Sequence, residues 1–144
     1  TCIYQGEELG LEDVSDIPKE KMQDPWGIEF APTFLGRDTC RTPMVWNKNL
    51  PNGGFSKANK TWLPISDKHL ERAAIDSALD PNSIYNDLAK FLKWRKKQSA
   101  MTEANCILNI TGDDTEISFD RQSDDQTLHC NFNFKTLTAS FEEI

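Results

Sequence analysis

The chain has 144 residues, 38% of them hydrophobic and 27% charged, and its 23 acidic against 16 basic side chains leave a net charge of −7. That charge repels phosphate backbones and anionic lipid, and no stretch approaches the ~20 apolar residues needed to span a bilayer, so neither nucleic acid nor membrane is expected as a partner. One domain of ordinary size fits this length, but the chain is more polar than an average globular domain, at about 45–50% apolar.

In chain order, the apolar run Thr1–Tyr4, stopped by Gly6, reads as the end of a buried parallel strand. From Glu7 to Asn59, five prolines and five glycines break any long helix or regular sheet, which predicts a long and therefore functional loop. Its expected helical turn is Ile17–Gln23, with Ser15 or Asp16 as cap and Pro18 at the first position. Trp26, Phe30, Phe34, Trp46, Phe55 and Trp62 are spaced irregularly, as core anchors would be, with carbohydrate stacking as the alternative. A short helix is expected over Asp67–Ala78. A longer one is expected over Pro81–Gln98, capped by Asp80, with Ile84, Leu88, Phe91 and Leu92 on one face and Lys90, Lys93, Arg95, Lys96 and Lys97 on a solvated one. Beyond Ser99 the pattern alternates: Cys106–Thr111, then Ile117 and Phe119, then Leu128, Cys130, Phe132 and Phe134, then Leu137, Ala139 and Phe141. Turns at Gly112-Asp113-Asp114 and Ser123-Asp124-Asp125 make this an antiparallel meander that needs a second layer over its apolar face.

Four dispersed cysteines, Cys2, Cys40, Cys106 and Cys130, form no C-x-x-C pair and read as free, mostly buried thiols. That usage points to a cytoplasmic setting, with the periplasm as the alternative. His69 and His129 stand apart from any ligand spacing, and Glu12-Asp13-x-x-Asp16 lacks the glycine of a calcium loop, so neither metal nor cofactor is expected.

Chemistry concentrates in two segments, Tyr4-Gln5-Gly6-Glu7-Glu8 and Arg37-Asp38-Thr39-Cys40-Arg41-Thr42-Pro43-Met44-Val45-Trp46. Adjacent Glu7 and Glu8 point to opposite sides of an extended chain and cannot flank one glycosidic bond, so one is expected to bond within the loop and the other to face solvent or the rim of a site. Arg37 and Arg41 offer planar sets of donors suited to a carboxylate or to vicinal sugar hydroxyls, and a local pair with Asp38 is the structural alternative. Pro43 holds Thr42 extended and fixes the path after Arg41.

Taken jointly, the two segments resemble the Tyr-Gln-Gly-Glu-Glu and Arg-Asp-x-x-Arg-Thr-Pro-Met-x-Trp motifs of α-glucosidases of the α-amylase clan (glycoside hydrolase family 13 type); Val45 departs from the Gln or Pro usual before the tryptophan. The resemblance implies an α/β plus all-β class: the C-terminal part of a (β/α)8 barrel, the TIM barrel, over 1–98 (last strand, active-site loop, closing helix), followed over 99–144 by a truncated antiparallel β-sandwich domain. It implies a retaining glycosidase that hydrolyses terminal α-linked glucose from short substrates such as maltose or isomaltose. Arg41 would then bind substrate, Glu7, Glu8, Arg37 and Asp38 would support the loop or rim, and the catalytic carboxylates would lie upstream of Thr1. On that reading this chain alone is inactive and tends to self-associate. The alternatives are a non-catalytic β-rich module binding carbohydrate or protein, and a fragment of a related trehalose- or sucrose-isomerising transferase.

Overall fold

The structure, a computed structural model, describes residues 2–103 and 106–144. They divide into two compact units, Thr1–Ala89 and Lys90–Ile144.

Among its described residues the first unit contains short helices and 3₁₀ turns and no strand. The expected strand is therefore not observed at Cys2–Tyr4, and Thr1 lies outside the described residues. A parallel strand exists only when hydrogen-bonded to neighbouring strands, and no described segment of this unit pairs with it. Where a helical turn is expected at Ile17–Gln23, only a 3₁₀ turn forms, Lys19–Lys21. The helix of this region is α1, Pro25–Phe30: Asp24 Oδ1 accepts from the Trp26 N–H at 3.0 Å and Pro25 occupies the first turn, where its missing N–H costs nothing. Gly27 and Gly36 let the returning chain lie against α1, since a Cβ on Gly27 would sit 2.4 Å from the Leu35 carbonyl oxygen.

Instead of one helix over Asp67–Ala78, two form, α2 (Asp67–Leu70) and α3 (Ala74–Leu79). Between them Ala73 is extended, and the Ala74 and Ile75 N–H groups donate to the Val45 and Trp46 carbonyls at 3.0 and 3.1 Å, a pairing that competes with a continuous helix. The core comprises Val14, Ile17, Met22 and Leu63, with Ala31 and Leu35 against them; burying each larger side chain contributes about 1.5–3 kcal/mol. The expected aromatic anchors do not enter it. Trp26, Phe30, Phe34, Trp46, Phe55 and Trp62 are all exposed, because the smaller aliphatic side chains already fill the centre of so small a unit.

Helix α4, Ile84–Arg95, starts three residues later than expected and stops before Gln98. Asp80 does not cap it. Its Oδ1 accepts from the Asn82 N–H at 2.9 Å in a turn over 80–83, and Ser83 Oγ caps the helix by accepting from the Asn86 N–H at 3.2 Å.

The second unit is the predicted meander. Strands β1 (Cys106–Gly112), β2 (Glu116–Gln122), β3 (Thr127–Asn133) and β4 (Thr138–Glu143) run antiparallel in the order β1-β2-β3-β4. Phe119, Cys130 and Phe141 lie abreast, as do Ile117, Phe132 and Ala139, so period-two alternation puts these apolar side chains on one face. In this chain the second layer over that face is helical. Ala100 and Met101 of α5 (Ser99–Thr102) join Leu128 and Cys130 in a cluster, and Trp94 packs on Phe141 with ring centroids 5.1 Å apart. Asn109, in left-handed conformation at φ 52°, sits in a β-bulge of β1. All four cysteines are free, as read, but only Cys130 is buried; Cys2, before the acidic turn, and Cys40, in the 3₁₀ turn Asp38–Cys40, are exposed.

Candidate functional site

The first motif folds into a tight acidic turn. Gly6 and Gly10 take left-handed conformations around the 3₁₀ turn Glu7–Leu9, and Leu9 plugs it into the unit's interior. Both glutamates tie the turn together: Glu7 Oε2 accepts from the Tyr4 N–H at 2.9 Å and Glu8 Oε2 from the Gly6 N–H at 2.8 Å. Glu7 is exposed and also reaches the wall of a cleft, whereas Glu8 is half-buried.

The second motif is held by two buried carboxylates. Asp38, only 1% exposed, accepts at Oδ2 from the Gln23 N–H (2.5 Å) and the Asp24 N–H (2.8 Å), while Oδ1 has no hydrogen-bond partner among the described residues. Asp24 Oδ2 in turn accepts from the Arg37 N–H at 2.8 Å and the Arg37 Nε at 3.4 Å. The Arg37 N–H first, then the Trp26 N–H, hold the Asp24 carboxyl below the usual carboxylate range. Arg37 is thus a scaffold residue whose partner is Asp24, not its neighbour Asp38, because Asp38 points inward to staple the 23–24 segment.

That division of labour leaves Arg41. Its backbone N–H donates to the Asp38 carbonyl at 3.0 Å, fixing the turn. Its side chain is half-buried, and no acceptor among the described residues takes its guanidinium. The side chain lines a cleft of about 600 Å³ walled by Tyr4–Glu7 of the first motif, by Thr39–Thr42 of the second, and by Leu11–Asp13, Met44 and His69. Two segments more than 30 residues apart in sequence therefore line one concavity.

His69 is the residue the sequence did not single out. It is 5% exposed, with Nε2 2.8 Å from the Glu12 carbonyl oxygen and Nδ1 3.4 Å from Thr42 Oγ1. Its partners lie 57 and 27 residues away and one is a backbone carbonyl, so neither periodicity nor ligand spacing marks it. Among the described residues no three His, Cys, Asp or Glu side chains gather as a metal site would require.

Chemically, the cleft offers a guanidinium with no acceptor among the described residues, a side-chain amide at Gln5, hydroxyls at Tyr4 and Thr39, and carboxylates at Glu7, Glu12 and Asp13. Such a set of donors and acceptors suits a neutral polyhydroxylated ligand better than a phosphate, which the neighbouring carboxylates would repel.

The sequence matches the family model for the α-amylase catalytic domain over residues 1–104. The chain belongs to the α-amylase family. It is 42% identical over 98% of its length to a probable α-glucosidase of Rhizobium meliloti and 34% identical over 87% to a glucan 1,6-α-glucosidase of Streptococcus dysgalactiae subsp. equisimilis. It spans about a quarter of the length of these α-amylase family relatives, 25% and 26% respectively. Among solved structures, the α-glucosyl transfer enzyme XgtA superposes on 92% of this chain with a TM-score of 0.84 at 39% identity, and 24% of that enzyme is covered. The anticipated class, barrel-enzyme α/β elements followed by an antiparallel sheet, stands on that superposition and on the family match.

Proposed function

We propose that this chain supplies one wall of the sugar site of a retaining α-glucosidase acting on short α-linked glucosides, with Arg41 gripping hydroxyls of the terminal glucose. The observation that carries the reading is the guanidinium of Arg41, without an acceptor among the described residues, in a cleft where both family motifs meet. Hydrolysis with retention needs a nucleophilic carboxylate and a carboxylic acid about 5–5.5 Å apart across the bond, and Glu7, the nearer motif carboxylate, is taken by the Tyr4 N–H. The chain spans about a quarter of its relatives' length, so the chemistry is assigned to carboxylates outside it, and the 144-residue chain alone is expected to release no glucose. Transfer to a second sugar in place of water is the alternative outcome, favoured by the likeness to a glucosyl-transfer enzyme.

The test is glucose release from maltose and isomaltose by the product of the whole reading frame that encodes this chain, beside the 144-residue chain. The whole product should hydrolyse one or both, and Arg41→Ala should lower kcat/KM about ten- to a hundredfold, the loss of a charge-assisted hydrogen bond. Saturable isomaltose binding by the 144-residue chain, undiminished in Arg41→Ala, would instead favour the non-catalytic binding module.

A further inference from the structure

We propose that His69 is a positioning residue for Arg41, acting through Thr42 as the clamp that fixes the C-terminal side of the arginine turn; the catalytic meaning of that clamp rests on the sugar-site reading above. The turn that presents Arg41 is fastened at three points. At its start, the Asp38 carboxylate is anchored by the Gln23 and Asp24 N–H groups. Next, the Thr39 carbonyl accepts from the Val14 N–H at 2.9 Å. On the far side of Arg41, Thr42 Oγ1 meets His69 Nδ1, while His69 Nε2 meets the Glu12 carbonyl. The acidic segment 12–14 therefore brackets Arg41, by a backbone bond on one side and through the imidazole on the other.

Proton bookkeeping fixes the direction of these bonds. A carbonyl oxygen only accepts, so Nε2 carries the proton toward Glu12; in the neutral ring Nδ1 is then the acceptor, and the Thr42 hydroxyl donates to it. The His69 backbone is held in α2, its N–H bonding the Ser66 carbonyl at 3.0 Å, and the ring bridges the Glu12 and Thr42 parts of the cleft's lining. Without it, Thr42 keeps only the restriction imposed by Pro43, and the Arg41 N–H bond to Asp38 is free to open from its C-terminal side. Misplacing a binding group by about 1 Å is enough to weaken a preorganised site substantially.

Amide hydrogen exchange on the 144-residue chain tests the clamp without any sugar. Thr42→Val removes the hydroxyl at nearly constant volume, Thr42→Ser keeps it, and His69→Gln keeps a donor toward Glu12 but drops the reach to Thr42. The Arg41 amide is expected to exchange at least about tenfold faster in Thr42→Val and His69→Gln, with Val14 unchanged and Thr42→Ser like the parent. Acceleration of Arg41 and Val14 together, or of neither, would overturn the clamp and leave His69 as an ordinary buried residue; if His69→Gln does not fold, the Thr42 pair decides. In the whole-frame product, the same two variants should raise KM about three- to tenfold with kcat kept. Faster Arg41 exchange with unchanged KM would keep the clamp and refute the sugar role of Arg41.

Discussion

Gly36 sits at φ 68°, one residue before the motif that carries Arg41, and a Cβ there would stand 2.8 Å from the Gly27 nitrogen and 3.0 Å from the Asp24 carboxylate. Neither neighbour is the flexible end of a side chain, so neither can yield cheaply. Gly36→Ala should therefore destabilise the first unit by about 1–2 kcal/mol from the left-handed backbone alone, with the clash adding to it. Thermal unfolding checks this, and a midpoint equal to the parent's would refute it. The same substitution pushes on Asp24, whose oxygens hold the Trp26 N–H and Arg37, so α1 and the arginine turn should loosen together. The two carboxylates at 24 and 38 show why this part of the site was only half legible. An Arg-Asp neighbour pair in sequence suggests a local ion pair, yet the fold turns Asp38 inward to two backbone N–H groups and gives Arg37 a partner 13 residues upstream. Nothing local encodes that exchange.

At the scale of elements, the strands are the most legible because alternation is a local signal and the first two turns of the meander carry their own Asp residues, at 113–114 and 124–125. The polar face of the sheet was not anticipated. There the Asp120 carboxylate, 6% exposed, accepts from Asn109 Nδ2 at 2.5 Å and faces His129 Nδ1 at 2.7 Å. The Asn109 amide first, and the His129 ring second, hold the Asp120 carboxyl below its ordinary value. A depressed folded value means that the group's stabilisation is complete above the unfolded carboxylate value of about 3.9 and is lost as pH falls through the folded one. Denaturant unfolding of the chain followed by the sheet's circular dichroism should weaken as pH drops from about 5 toward 3, and Asp120→Asn should flatten that acid limb by up to about one proton. An identical limb in the variant would show that the asparagine and histidine contacts do not act on Asp120 in solution. Helix ends were less legible than strands. Asp80-Pro81 and Asp24-Pro25 present the same cap signature, but only the second opens a helix directly, because Ser83 offers a competing cap three residues on.

For the whole molecule, the long breaker-rich stretch was correctly read as non-repetitive, but where its aromatics go depends on packing that sequence spacing does not encode. Trp26, Phe30 and Phe34 line one hollow of about 700 Å³, with the Trp26 and Phe30 centroids 5.6 Å apart, and Trp46, Phe55 and Trp62 are also open to solvent. The three rings around the hollow share one surface, and apolar groups grouped in this way, unlike scattered ones, mark a site of association. Opposing association is the net charge of −7, whose reach is about 10 Å at 0.1 M salt and shorter above it. Two consequences follow with definite sign. In sedimentation velocity the weight-average mass should rise above the 16.4 kDa of one chain as concentration increases, and adding salt should strengthen the association, since it screens the repulsion and leaves apolar contact intact. Weakening by salt would mean that ionic contacts join the copies, and a constant 16.4 kDa across concentration would mean that the exposed rings do not drive association at all. Replacing Trp26 and Phe30 by serine separates the hollow from the rest: a fall in association with an unchanged unfolding midpoint locates the contact at α1, where both rings are already outside the core.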